Sequence, residues 1–249
     1  MINNIFKALG YYSQSLAIIS KLKLWKYFFI PITISVLVGV LIFGLSYTFS
    51  NDLGHFIAAV WKWDWGKKTF EVISTFISGI LIIAIGLVLY KHIVMAFSAP
   101  FMSPVSEKIE AYLTGTENHQ YRKTTFTEQL VRGIRINIRN LGKELLYTIP
   151  IILFSFIPVI GIFSSILLFL MQAFYAGFGN MDYTLERHFN YKESINFVKQ
   201  SKGLAIGNGI GFLLIVLIPV VGFILVLPLS VTAASIQTTQ QIRTKLPVK

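Results

Sequence analysis

The sequence predicts an all-α integral membrane protein with two long transmembrane helices, two Pro/Gly-turned and partly penetrating helical hairpins, and amphipathic interfacial helices. Three observations lead there. Hydrophobic residues make up 54% of the 249 positions and charged residues only 13%, with a mean hydropathy of +0.66, the composition of a chain surrounded by lipid and neighbouring helices. Two stretches, 27–49 and 72–90, run without a charge for the length a membrane crossing needs. The motif Ile157-Pro158-Val159-Ile160-Gly161 returns as Ile218-Pro219-Val220-Val221-Gly222, inside the uncharged regions 145–179 and 203–242.

In chain order, Ile5, Leu9, Tyr12, Leu16 and Ile19 fall on one helical face of residues 1–26, which reads as an amphipathic helix lying on the membrane surface. This start has no compact apolar core followed by a small-residue cleavage site, so no cleaved signal peptide is expected. Span 1 is 27–49, with Pro31 in its first turn, where proline is tolerated. The connection 50–71 carries Trp61, Trp63 and Trp65, ring systems suited to the headgroup level. Span 2 is 72–95; Lys91 and His92 follow its densest part, and Lys91 is expected to snorkel to the interface. Ser103 before Pro104 reads as the cap of a new helix, and 114–124 as a polar loop containing His119.

Thr125 to Glu128 matches a capping box. On the helix it opens, Arg132, Arg135, Arg139 and Lys143 share one side and Ile134, Ile138, Leu141 and Leu145 the other. This reads as a basic, membrane-lying helix whose arginines either attract anionic lipid or line an anion vestibule.

In each hairpin, Pro158 or Pro219 stops a helix, and Gly161 or Gly222 supplies a positive φ for the reversal. The first hairpin's arms of about 13 and 18 residues reach about 20 and 27 Å, against a hydrocarbon core of about 30 Å. Short, Pro/Gly-interrupted apolar pairs point to a transport path. Six full spans is the second topology the pattern admits. The connector 180–202 is charged and is read as water-exposed, while Gly203, Gly207 and Gly211 form a small-residue seam for close helix packing. The tail from Arg243 is short and basic. Lys and Arg are least in excess over 50–71, which puts that loop outside and both termini in the cytoplasm.

The net charge of +11 follows from flanking spans with Lys and Arg and needs no nucleic acid. Zero cysteines exclude disulfides and thiolate sites. The four histidines are dispersed, and no phosphate loop, nucleophile elbow or zinc-protease motif is present. No enzyme chemistry, cofactor or metal is expected. What remains is anion-friendly: Lys21, Lys23 and Lys26 precede span 1, and free helix N–H groups begin at both Pro-Gly turns.

The segment from Ser98 through Ala99, Pro100, Phe101, Glu107 and Tyr112 to Gly115, the Ile-Pro-x-x-Gly hairpins, and Asp182-Tyr183 leading to His188 resemble the CysZ family of bacterial sulfate permeases over about Leu9 to Ile236. The resemblance implies a multi-pass inner-membrane protein that assembles as a homo-oligomer and passes sulfate inward for cysteine biosynthesis without ATP. It places the anion site at Lys23, Leu24, Trp25 and Lys26, where the family carries an Arg-Arg pair; Trp25 and Lys26 stand in those positions. It makes Glu107 and His188 pathway or gating residues, beside Pro158, Gly161, Pro219 and Gly222. The alternative is a non-transporting scaffold that organises membrane lipids through Arg132, Arg135 and Arg139.

Overall fold

A computed structural model describes residues 1–115, 124–155 and 157–245. Within them the chain forms α1 (Ile2–Lys21), α2 (Trp25–Ala58), α3 (Lys67–Thr114), α4 (Phe126–Ser155), α5 (Pro158–His188), α6 (Tyr191–Gln200), α7 (Lys202–Val216) and α8 (Val221–Lys245). There is no strand among the described residues. Most of the loop expected over 114–124, with His119, and the end of the basic tail lie outside them. Helices α2, α3, α5 and α8 are each long and apolar enough to cross a membrane.

Helices α2 and α3 run as an antiparallel pair held by close small-residue crossings. A Cβ on Gly54 would collide with the Thr75 backbone and one on Gly86 with Ile42. At the far end Trp61 stacks on Phe70, with centroids 4.9 Å apart, and its indole N–H donates to the Trp65 carbonyl at 3.0 Å.

Both long helices outrun the expected spans. Helix α3 has 48 residues, about 72 Å at the α-helical rise. It continues through Pro100 and Pro104, so Ser103 is no cap. A proline removes one ladder bond, but α3 is held on both sides here. Gly133 of α4 lies against Ala96 and Ala99, and Tyr183 of α5 donates to the Met95 carbonyl at 2.7 Å. Packing overrides the local stop signal.

Helix α1 is buried against α7 and α8. Its inward residues are Ala8, Tyr11, Ser15 and Ile19, a stripe rotated from the expected one, and Leu16 is exposed. Gly203, Gly207 and Gly211 create the groove, since a Cβ on each would strike Met1, Ile5 or Tyr12 respectively. The seam does what its spacing suggested. A second seam crosses it: Gly177 on α5 meets the Ala205 carbonyl of α7, and Gly209 on α7 meets the Ala173 carbonyl of α5.

The hairpin turns form differently from expectation. Pro158 is the first residue of α5 after extended Ile157, and the Gly161 N–H donates to the Ile157 carbonyl at 2.7 Å, so Gly161 lies within the first helical turn. Gly222 is likewise helical and is needed for space, because a Cβ there would hit the Ile215 carbonyl of α7. The left-handed backbone falls on Val220, at φ 61°, a strained choice for a β-branched residue. The following Phe223 sits edge-on to Phe43 at 6.3 Å and to Tyr90 at 5.1 Å. This tip meets α2 within its apolar stretch and α3 at Tyr90, the end of the uncharged run 72–90.

Candidate functional site

The link between α1 and α2 is three residues long, and Lys23 takes φ 52° to make the bend. Leu24 anchors it, fully buried, while Lys23, Trp25 and Lys26 face outward. Trp25 sits edge-on to Phe28 at 6.3 Å. Lys26 Nζ lies 5.2 Å from the Tyr27 ring centroid, and Lys108 Nζ of α3 lies 5.6 Å from the same ring. Lys21 Nζ donates to the Tyr112 hydroxyl at 2.8 Å. Three ammonium groups from three helices therefore gather on two tyrosines, beside a groove of about 690 Å³ lined by Leu22, Pro104, Glu107, Lys108 and Tyr112 among others. Lysine is a point charge on a flexible stem, so this is a diffuse anion attractor and not the bidentate fork of an Arg pair. Sequence reasoning selected Lys23, Lys26 and Glu107; Lys108 and Tyr112 join them only because the end of α3 lies beside the α1–α2 link.

Behind the groove, the other side of α3 meets α5 through a dense ionic network. Glu110 accepts from Arg187 Nη2 at 2.8 Å and lies 2.7 Å from His188 Nε2. Arg187 also donates to Ser106 at 2.9 Å and to the Ser103 carbonyl at 3.2 Å. Ser103 in turn donates to Glu186. Helix α5 thus extends into the segment expected as a solvent-exposed connector, and Asp182, Glu186 and Arg187 are buried. The helix ends at Phe189, and Asn190 and Glu193 cap the short α6 reciprocally.

The arginines of α4 divide. Arg132 makes a two-pronged contact with Asp182 at 2.9 and 3.0 Å, and also donates to Ser194 at 2.6 Å and the Phe189 carbonyl at 2.9 Å. Burial opposes its charge, but the Asp182 carboxylate outweighs this and raises its pKa further. Arg135 stacks on Tyr191 at 4.2 Å and Arg139 lies 5.4 Å from the Phe178 ring. The Thr125–Glu128 capping box forms, with Thr125 N–H to Glu128 at 2.8 Å and Glu128 N–H to the Thr125 hydroxyl at 3.3 Å.

A further cluster was not anticipated. Lys91 does not snorkel. Its Nζ donates to Glu144 Oε1 of α4 at 2.6 Å, both side chains being 1% exposed, and to the Gln172 carbonyl of α5 at 3.3 Å. His92 Nε2 lies 3.0 Å from Glu144 Oε2. Helix α4 supplies a counter-charge on the spot, which removes the reason to reach for the interface. No group of three or more His, Asp or Glu side chains suited to a metal occurs among the described residues.

The helices define a multi-pass all-α membrane protein. The chain belongs to the family described as "Sulfate transporter CysZ/Etoposide-induced protein 2.4", whose model matches residues 11–226. Among curated relatives, the "Sulfate transporter CysZ" of Pseudomonas fluorescens (strain Pf0-1) is 28% identical over 141 residues, 56% of either chain. That of Pseudomonas syringae pv. tomato (strain ATCC BAA-871 / DC3000) is also 28% identical over 141 residues, covering 56% of this chain and 55% of the relative. The match thus spans little more than half the length of these relatives.

Proposed function

We propose that this chain is an inner-membrane permease or channel that passes sulfate or a similar oxyanion inward for cysteine biosynthesis, without hydrolysing ATP. The observation that carries the reading is the gathering of Lys21, Lys26 and Lys108 beside the Lys23 bend, at a groove open to solvent. The relatives named as sulfate transporters supply the substrate class. On this reading residues 1–249 form one membrane domain with both termini cytoplasmic, and the chain assembles as a homo-oligomer. The two hairpins penetrate the membrane partway, with Pro158, Gly161, Pro219 and Gly222 at their tips. Glu107 in the groove and His188 on the Glu110 network serve as pathway or gating groups. Arg135 is the exposed member of the α4 arginines and the one placed to meet lipid headgroups or arriving anions.

The test is entry of radiolabelled sulfate into sealed liposomes containing the purified protein, beside empty liposomes and the Lys23→Ala/Lys26→Ala variant. Uptake above empty liposomes that falls several-fold in the variant supports the function and the site. Uptake unchanged in the variant removes the site. No uptake by folded protein removes the function and favours the lipid-organising alternative.

A further inference from the structure

Between Val72 and Ser106, a stretch of 35 residues, Lys91 is the single charged side chain of α3. Such residues inside a membrane protein are expensive and mark function more often than stability. The groups around it are unbalanced. On the donor side stand the Lys91 ammonium, His92, and the side-chain N–H group of Asn140, which is fully buried and has no hydrogen-bond partner. Asn140 precedes Glu144 by four positions on α4 and so shares its face. On the acceptor side, Glu144 alone carries charge. Both of its oxygens are occupied, one by Lys91 and one by His92. The second His92 nitrogen faces the Asn137 side-chain oxygen at 3.4 Å. An unpartnered buried donor costs about 1–3 kcal/mol, and no acceptor of the cluster meets the Asn140 N–H.

A tetrahedral oxyanion presents four oxygens in four directions, enough to meet Lys91, His92 and Asn140 together, which the planar Glu144 carboxylate does not do. We infer that Lys91, His92 and Asn140 form an internal oxyanion site, and that the Glu144 carboxylate occupies it as a built-in stand-in for the anion. This inference rests on the oxyanion-transport reading above and adds a second station to it. When an oxyanion arrives, it takes the Lys91 and His92 contacts and satisfies Asn140, while Glu144 swings aside. Tyr175 of α5 is in electrostatic range of Glu144, Arg139 and Tyr147. Arg139, which is half-buried, donates to the Asn140 side-chain oxygen at 2.8 Å and so sits next to the site. With Glu144 in place the site is occupied; with an oxyanion in place the Lys91 and His92 contacts are kept.

The experiment uses purified full-length protein in detergent, with thermal unfolding followed in sodium sulfate against sodium chloride of equal ionic strength. Glu144→Gln removes the stand-in charge at nearly constant shape. Its unfolding midpoint is expected to rise saturably with sulfate, with half-saturation about tenfold lower than for the wild type, whose own carboxylate competes. Lys91→Gln/Glu144→Gln removes both charges of the pair at nearly constant shape; it should fold in both salts and lack the added saturable response of Glu144→Gln, keeping only the salting-out response and whatever the Lys21–Lys26–Lys108 groove contributes in every variant. A Glu144→Gln protein that folds in sulfate and not in chloride supports the inference equally. A sulfate response identical in the single and double variants overturns it. So does a single variant that fails to fold in either salt while the double variant folds, because the cluster then requires a fixed internal anion. These readouts need no transport, so a protein that moves no sulfate in liposomes would remove the transport reading and leave this result standing.

Discussion

Lys91 on α3 and Glu144 on α4 are joined by a 2.6 Å contact between side chains that are each 1% exposed. It ties α4 to the long helix α3 in a place where water cannot compensate either charge. Removing one partner strands the other. Lys91→Ala or Glu144→Ala is expected to destabilise by about 3–5 kcal/mol, and Lys91→Met/Glu144→Leu by much less, because a matched apolar pair carries no desolvation penalty. Thermal unfolding of the three variants in detergent decides this, with near-equal losses ruling out an ion-pair origin.

Arg132 binds Asp182, Ser194 and the Phe189 carbonyl together, so it fastens α4 to the end of α5 and the start of α6. Arg132→Lys keeps the charge and loses the fork. The expected loss is about 2 kcal/mol or more, against little change for Arg135→Lys, whose contact is ring stacking at an exposed position. Chemical denaturation midpoints of the two variants make the comparison.

The crossing of α5 and α7 leaves no room at Gly177 or Gly209. Gly209→Val should destabilise by upward of about 2 kcal/mol and reduce the yield of folded protein. Gly142→Ala on α4, with nothing within 4 Å of the added methyl, should be neutral or stabilising by about 0.5–1 kcal/mol. Size-exclusion profiles and unfolding midpoints report both.

Trp25 and Lys26 occupy the positions where the family resemblance places two arginines. Trp25→Arg/Lys26→Arg should therefore lower the sulfate concentration that half-saturates uptake by about tenfold, through two-pronged contacts that Lys cannot make. An unchanged or higher half-saturation in the liposome assay would detach the anion site from this link.

Much of the architecture was legible in the sequence because lipid imposes simple rules. Uncharged runs of sufficient length became α2 and the first half of α3, the repeated Ile-Pro motif marked both helix breaks, and the Gly203–Gly207–Gly211 spacing marked a close helix contact. Glu107 in the groove and Lys23 and Lys26 beside it were chosen from sequence, on the strength of charge position and family resemblance. The faces of α4 were misread for one reason. On α4 the apolar residues Ile138 and Leu145 are exposed, while Gly133, Asn137, Asn140 and Glu144 face inward. A periodicity rule tuned to water turns such a helix inside out.

What the sequence determined alone is the solvent each segment prefers, since hydropathy and charge are local properties. Which cation meets which carboxylate is not local. Lys91 finds Glu144 across 53 positions, and Arg187 finds Glu110 across 77. Pro100 and Pro104 fail to stop α3, and Val220, not Gly222, takes the left-handed turn. Those outcomes belong to the tertiary structure, because in an interior without water each buried charge and each freed backbone group must be satisfied by a partner that packing brings to it.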